Sequence, residues 1–293
     1  MSPAITNRTH TTRYTARMVH ARRIPCSRQV LSMSVVLTPC LAALLSTTVG
    51  CDTMQANRGI GSLSEMFQGP KPQDAVELAI DEYDPDRRYQ GTALLANAPF
   101  AGEGPYIELF RDAARDEDAG VRQVGVRALG IHGEPEDVPL IIGLLEDDEW
   151  LVRMESARAL QRLHNDQAIN PLIERTEIDN ELQAAVRAEA VHALGQYREN
   201  RVLQELIRAL DDPSLAVNHN SLHSLEVLTG QNLGYEPAAW LAWLDETGEP
   251  FKAGRIYTYP GFERDKLWYE WIPFLGPPPN EAESVPVGLQ PSF

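Results

Sequence analysis

The chain has 293 residues with 26 basic and 42 acidic side chains, a formal charge of −16. Gripping the phosphates of nucleic acid needs a basic surface, so that class of partner is excluded. All three cysteines (Cys26, Cys40 and Cys51) precede residue 52, so the 242 residues that follow fold without a disulfide among themselves.

Residues 1–50 carry six arginines (Arg8, Arg13, Arg17, Arg22, Arg23, Arg28) and no acid, and the stretch from Val30 to Val49 carries no charge. A basic region followed by an apolar core is the pattern of a secretory signal. At this length it also approaches the minimum for an uncleaved membrane anchor. The motif "TTVGC" sets small residues directly before Cys51. It resembles the lipobox of bacterial lipoproteins, with Thr48 where Leu is usual. The resemblance implies cleavage before Cys51, lipid attachment to its sulfur, and an exported protein anchored on the periplasmic side of a bacterial membrane. By the same resemblance, Asp52 matches an inner-membrane retention signal. The alternative is that Cys51 is an incidental small residue in an anchor or in an alanine-type cleavage site. Cleavage before Cys51 leaves 20 basic against 42 acidic residues, a formal −22, and a lone thiol that lipidation would remove.

Residues 51–71 have little periodicity and read as a tether. From residue 72 to about 230 the chain repeats itself. The runs "GVRQVGVRALG", "LVRMESARAL", "AVRAEAVHALG" and "AVNHNSLHSLE" align on Val121, Val152, Val186 and Val217, with Tyr89 one register earlier, at spacings of 32, 31, 34 and 31. Small or apolar residues recur 4, 5 and 8 positions after each reference residue, Asn97 being the exception at the last of these. Those offsets share one helical stripe. A second apolar run precedes each, so every unit predicts a helix pair. The longer spacing falls at "TEIDNE", where a protruding turn is expected.

Five residues before each reference position stands an acid: Asp84, Asp116, Asp147, Glu181 and Asp212. At the start of a second helix such an acid caps free amides. Arg122, Arg153 and Arg187 follow the reference position, so acid and arginine of neighbouring units are expected to form a ladder that stops at Gln90 and Asn218. The pattern "D-x-x-x-x-V-R-x-x-A-x-x-A-L" resembles the short HEAT-like repeats also found in phycobilisome lyases, over residues 73–229. The tetratricopeptide and ankyrin signatures are absent. The expected fold is all-α, an α-solenoid of about five helix pairs with an aromatic-rich, mostly irregular C-terminal segment.

Four of the five tryptophans lie beyond the repeats: Trp240, Trp243, Trp268 and Trp271. Large aromatics can close the apolar end of a solenoid or serve a partner as a hot spot. Residues 231–275 are therefore read as a cap or interaction segment, with Trp240 and Trp243 as the cap and Trp268 and Trp271 as the contact surface. The proline-rich residues 276–293 read as an extended or disordered tail that docks on a partner or along its own solenoid.

No nucleotide loop, haem motif, metalloprotease helix or nucleophile elbow occurs, and no catalytic residue, cofactor or metal site is assigned. His219 and His223 are four apart but lack a third ligand in the sequence. Six positions after the reference residues stand Arg127, Arg158, His192 and His223. By resemblance, second helices line the concave face, so this column is either a seat for a carboxylate-bearing partner segment or a solvated ridge neutralised by Glu155 and Glu189 three residues away. The expectation for function is a non-enzymatic, membrane-tethered scaffold that binds another protein. Alternatives are a chromophore-attachment factor akin to the bilin lyases, which the repeat resemblance implies, and a structural protein of the cell envelope.

Overall fold

A computed structural model describes residues 71–261, 264, 265, 267 and 281–290. Cys51, the signal segment, nearly all of the tether, Trp268 and Trp271 lie outside them. The described residues fall within one compact unit, Ser62–Phe293. Among them no helix is long and apolar enough to cross a membrane.

Among the described residues ten helices form five pairs: α1 (Pro72–Ala79) with α2 (Pro85–Ala96), α3 (Gly104–Ala113) with α4 (Ala119–His132), α5 (Val138–Gly143) with α6 (Trp150–Arg162), α7 (Ile169–Thr176) with α8 (Ala184–Leu194), and α9 (Asn200–Ala209) with α10 (Leu215–Thr229). The second helices stack in chain order, α2 on α4, α4 on α6, α6 on α8 and α8 on α10. An eleventh helix, α11 (Pro237–Glu246), packs against α9. This is an all-α solenoid, each unit burying its apolar stripe against its neighbours. Among the described residues an isolated backbone bridge of Leu163 with Val287 ties the C-terminal segment to the solenoid, and one of Tyr259 with Ser284 joins two parts of the segment itself.

The repeat offsets explain the core. Leu129, Leu160, Leu194 and Leu225 are fully buried. The small residue four positions before each is where the first helix of the pair crosses the second. A Cβ on Gly125 would stand 2.5 Å from the backbone N of Ala114, and Ser156, Ala190 and Ser221 fill the equivalent places with little bulk.

The first unit departs from the sequence register by two residues. Gly91 makes the same close crossing, its Cβ position lying 2.2 Å from the backbone N of Ala79, and Leu95 is the fully buried leucine. The reference position there is Arg87, not Tyr89, which is exposed. With that shift Asn97 no longer breaks the pattern; it is the C-cap residue of α2.

Beyond α10, Gly230 adopts φ 70°, a left-handed conformation suited to ending a helix, and the chain turns into α11. Trp240 is fully buried, its indole N–H donating to the Gly234 carbonyl at 2.8 Å, and Trp243 meets it edge-on at 6.1 Å while packing on the core. The turn at Glu177–Asn180 stands out with Ile178 exposed.

Candidate functional site

The turns between paired helices carry a continuous ladder. Arg122 donates through Nε and Nη2 to both oxygens of Asp147 at 2.7 and 2.9 Å, Arg153 to Glu181 at 2.6 and 3.0 Å, and Arg187 to Asp212 at 2.7 and 3.0 Å. The third nitrogen, Nη1, closes the arginine's own turn on the carbonyls of Asp116, Asp147 and Glu181 respectively. Each guanidinium thus fastens one turn and reaches forward to the next. Such bidentate charge-assisted bonds are the stronger kind.

The ladder starts one unit earlier than the sequence suggests. Arg88, not Gln90, pairs with Asp116 at 2.7 and 2.8 Å and donates to the Asp81 carbonyl. Asp81 therefore holds the place assigned to Asp84, because this turn is one residue longer. The signal was present in the match of Gly91 and Leu95 to Gly125 and Leu129. The capping role also changes. Asp84 does cap α2, but Asp116, Asp147, Glu181 and Asp212 accept from the amide two residues on, closing the turn. Burial opposes ionisation of Asp116, Asp147 and Glu181, yet the facing arginines and turn amides hold all three carboxyls below their ordinary range.

The second-helix column is wired across units. Arg127 donates to Glu155 at 2.7 Å, and Arg158 to Glu189 at 2.9 Å. The neutralising carboxylate lies chiefly on the next helix, with only the longer Arg158–Glu155 contact, 3.4 Å, linking residues three apart. His192 is not open to a partner. It is buried under Tyr257, whose hydroxyl lies 2.8 Å from Nδ1, and it stacks on His223 at 5.5 Å. Burial and the neighbouring imidazole of His223 push the His192 pKa down to about 4. His219 and His223 gain no third ligand, and no metal-ligating cluster of three occurs among the described residues.

The C-terminal segment lies along its own solenoid. Arg255 donates its backbone N–H to the Val227 carbonyl, and Arg162 stacks over the Tyr259 ring at 4.8 Å while pairing with Glu281. The Val287 carbonyl accepts from His164, and its N–H donates to Arg162. These partners lie 28 to 125 residues apart with no periodicity, so no sequence pattern announces them.

Between this strap and the second helices runs a groove of about 680 Å³, walled by Arg127, Ile131, Glu155, Arg158, Tyr259 and Glu281 among others. Within this groove two arginine side chains are more exposed than the carboxylates they pair with. The side chains of Arg127 and Arg158 are 52% and 43% exposed, whereas their partners Glu155 and Glu189 are 4% and 21% exposed.

A family model described as HEAT repeats matches residues 72–161, 107–185 and 139–226. No curated protein matches the chain. Among solved structures, the chain is similar to YibA of Escherichia coli at 17% identity, with 75% of this chain and 82% of that one covered and a TM-score of 0.47. It is similar to the complex of CpcE and CpcF of phycocyanin lyase from Nostoc sp. PCC7120 at 19% identity, covering 55% and 77%, with a TM-score of 0.37. A designed armadillo repeat protein in complex with the peptide (KR)4 shares 17% identity over 60% of this chain and 92% of that one, with a TM-score of 0.44.

Proposed function

The chain belongs to the HEAT-repeat family, and from that premise we propose that it is a non-enzymatic scaffold whose second-helix groove holds an extended, acidic segment of another protein. HEAT-type solenoids typically offer extended binding surfaces to protein segments. The observation that carries the reading is the asymmetry of the groove, where Arg127 and Arg158 present their guanidinium groups while the carboxylates that orient them are withdrawn from water. Fixed, exposed guanidinium groups bind carboxylates with directional bonds and little further ordering. Ile131 and Tyr259, beside them, add apolar contact.

The scaffold is proposed to act at a membrane. Support comes from the arginine-rich start, the uncharged stretch and Cys51 after "TTVG", which together suit an exported, lipid-anchored protein of the bacterial cell envelope. Site-specific photocross-linking in cells tests the groove. A cross-linker at Ile131 should yield one discrete adduct whose captured peptide is rich in Asp and Glu, and Arg127→Glu with Arg158→Glu should abolish it. Equal cross-linking from Leu182, exposed in the turn before α8, or capture of a basic peptide would overturn the assignment.

A further inference from the structure

A second cavity lies at the far ends of the second helices, apart from the groove. It has a volume of about 300 Å³ and is bounded by the end of α6, the α8–α9 loop, α10 and the C-terminal segment. That is the small end of the range for small-molecule sites, roughly 300 to 1,000 Å³. Ile256 and Leu289 form its accessible apolar wall, backed by the buried Ile169, Leu228 and Tyr197, the last stacked on His164 at 5.0 Å. Tyr197 is fixed there by its hydroxyl, which donates to the Asn165 carbonyl at 3.1 Å, and His164 by a 2.9 Å hydrogen bond between Nδ1 and Gln196.

Arg198 and Arg255 also line this cleft. Arg198 Nη2 donates to the Arg255 carbonyl at 3.3 Å, which fixes the guanidinium of one beside the backbone of the other. Neither arginine is in an ion pair among the described residues. Every other arginine from Arg87 to Arg208 is in one. In a chain with this acidic excess, two arginines outside any ion pair along one cavity's lining are an exception that points to an anion. The carboxylates at the rim do not supply it. Glu199 is taken by Arg201, and Asp166 lies 3.6 Å from His164 Nε2.

We propose that this cleft binds a small apolar carboxylate, with Arg198 and Arg255 taking the carboxylate and the apolar wall of Ile256 and Leu289 taking the hydrocarbon part. Of the rim acids only Asp166 lacks an arginine partner, so Arg198 and Arg255 together leave room for one negative charge. A monoanionic carboxylate fits that balance better than a phosphate dianion. The proposal does not depend on the groove, since the two cavities share no lining residue.

Ligand-observed NMR on the full-length chain tests it, with hydrocinnamate as the carboxylate, hydrocinnamamide as its uncharged counterpart and phenyl phosphate as the phosphate source. Hydrocinnamate should bind, and Arg198→Gln with Arg255→Gln should weaken it by roughly tenfold or more, the worth of one charge-assisted bond. Arg198→Gln alone should give an intermediate loss, and Arg127→Gln with Arg158→Gln, in the groove, none. No binding to the unaltered protein, equal binding by the double variant, or amide binding as tight as the acid overturns the proposal. Tighter binding of phenyl phosphate overturns the choice of carboxylate.

Discussion

Arg187 and Asp212 face each other across neighbouring units with both side chains almost wholly buried, joined by two parallel hydrogen bonds of 2.7 and 3.0 Å. Arg187 Nη1 simultaneously holds the Glu181 and Leu182 carbonyls of its own turn. One side chain therefore fastens a turn and the interface to the next unit.

Removing half of such a pair strands a buried charge. Arg187→Ala should cost about 3 to 5 kcal/mol. Arg198→Ala, at an exposed position with a single backbone bond, should stay within about 0.5 kcal/mol. Replacing Arg187 and Asp212 together by Leu should restore much of the loss, because no charge is then left unpaired. Urea denaturation of the variants measures this, and equal losses for Arg187→Ala and Arg198→Ala would contradict a supporting role for the ladder.

Acid should loosen the strap before it breaks the ladder. The His192 pKa is lowered from 6.5 to about 4, so the unfolded chain takes up a proton that the folded chain refuses. The contribution is complete above pH 6.5 and falls as pH drops toward 4, by up to about 3 kcal/mol. Asp116, Asp147 and Glu181, with carboxyls held below their ordinary values, lose their share only at lower pH, as they protonate. His192→Gln keeps a partner for Tyr257 without the titration. A melting curve for that variant as steep between pH 6.5 and 4 as that of the parent would refute the assignment.

Trp240 closes the last unit, so Trp240→Ala should cost about 3 to 5 kcal/mol through transfer and cavity terms. Trp268 and Trp271, assigned on sequence as contact residues, should tolerate paired substitution with little change in melting temperature. Thermal denaturation of both variants decides it. A loss for the second pair as large as for Trp240 makes that segment structural.

Cys51→Ala should abolish incorporation of labelled lipid and leave a precursor with its first 50 residues attached. Mass spectrometry of membrane-bound protein provides the check. An unmodified Cys51 thiol there would end the lipoprotein reading.

The repeats were legible because period and chemistry coincide: Leu129, Leu160, Leu194 and Leu225 fall at one offset and the ladder acids at another. Arg88 escaped because its turn is one residue longer, which shifts the charge pattern while the buried Gly91 and Leu95 keep theirs. Packing geometry was the firmer guide there than charge spacing. The strap was illegible for a different reason. Tyr257, Tyr259 and Val287 find partners through shape and single hydrogen bonds far along the chain, and nothing local marks them. The groove and the cleft both have the strap as one wall, so neither was visible from the repeats alone.

A ladder in which every arginine reaches the same way has two unlike ends, and stacked modules with matching ends would grow into filaments. This one is closed to that at both. At the last turn Asn218 stands where the arginine would be, its buried Oδ1 without a partner, and brings no cation to a following unit. At the first, Asp81 is already engaged by Arg87 of its own turn. A second copy placed end to end would meet no rung, and α11 with Trp240 covers the same end. The rungs among the described residues thus stop at one amide and one local ion pair, so the ladder itself offers a further unit no partner at either end.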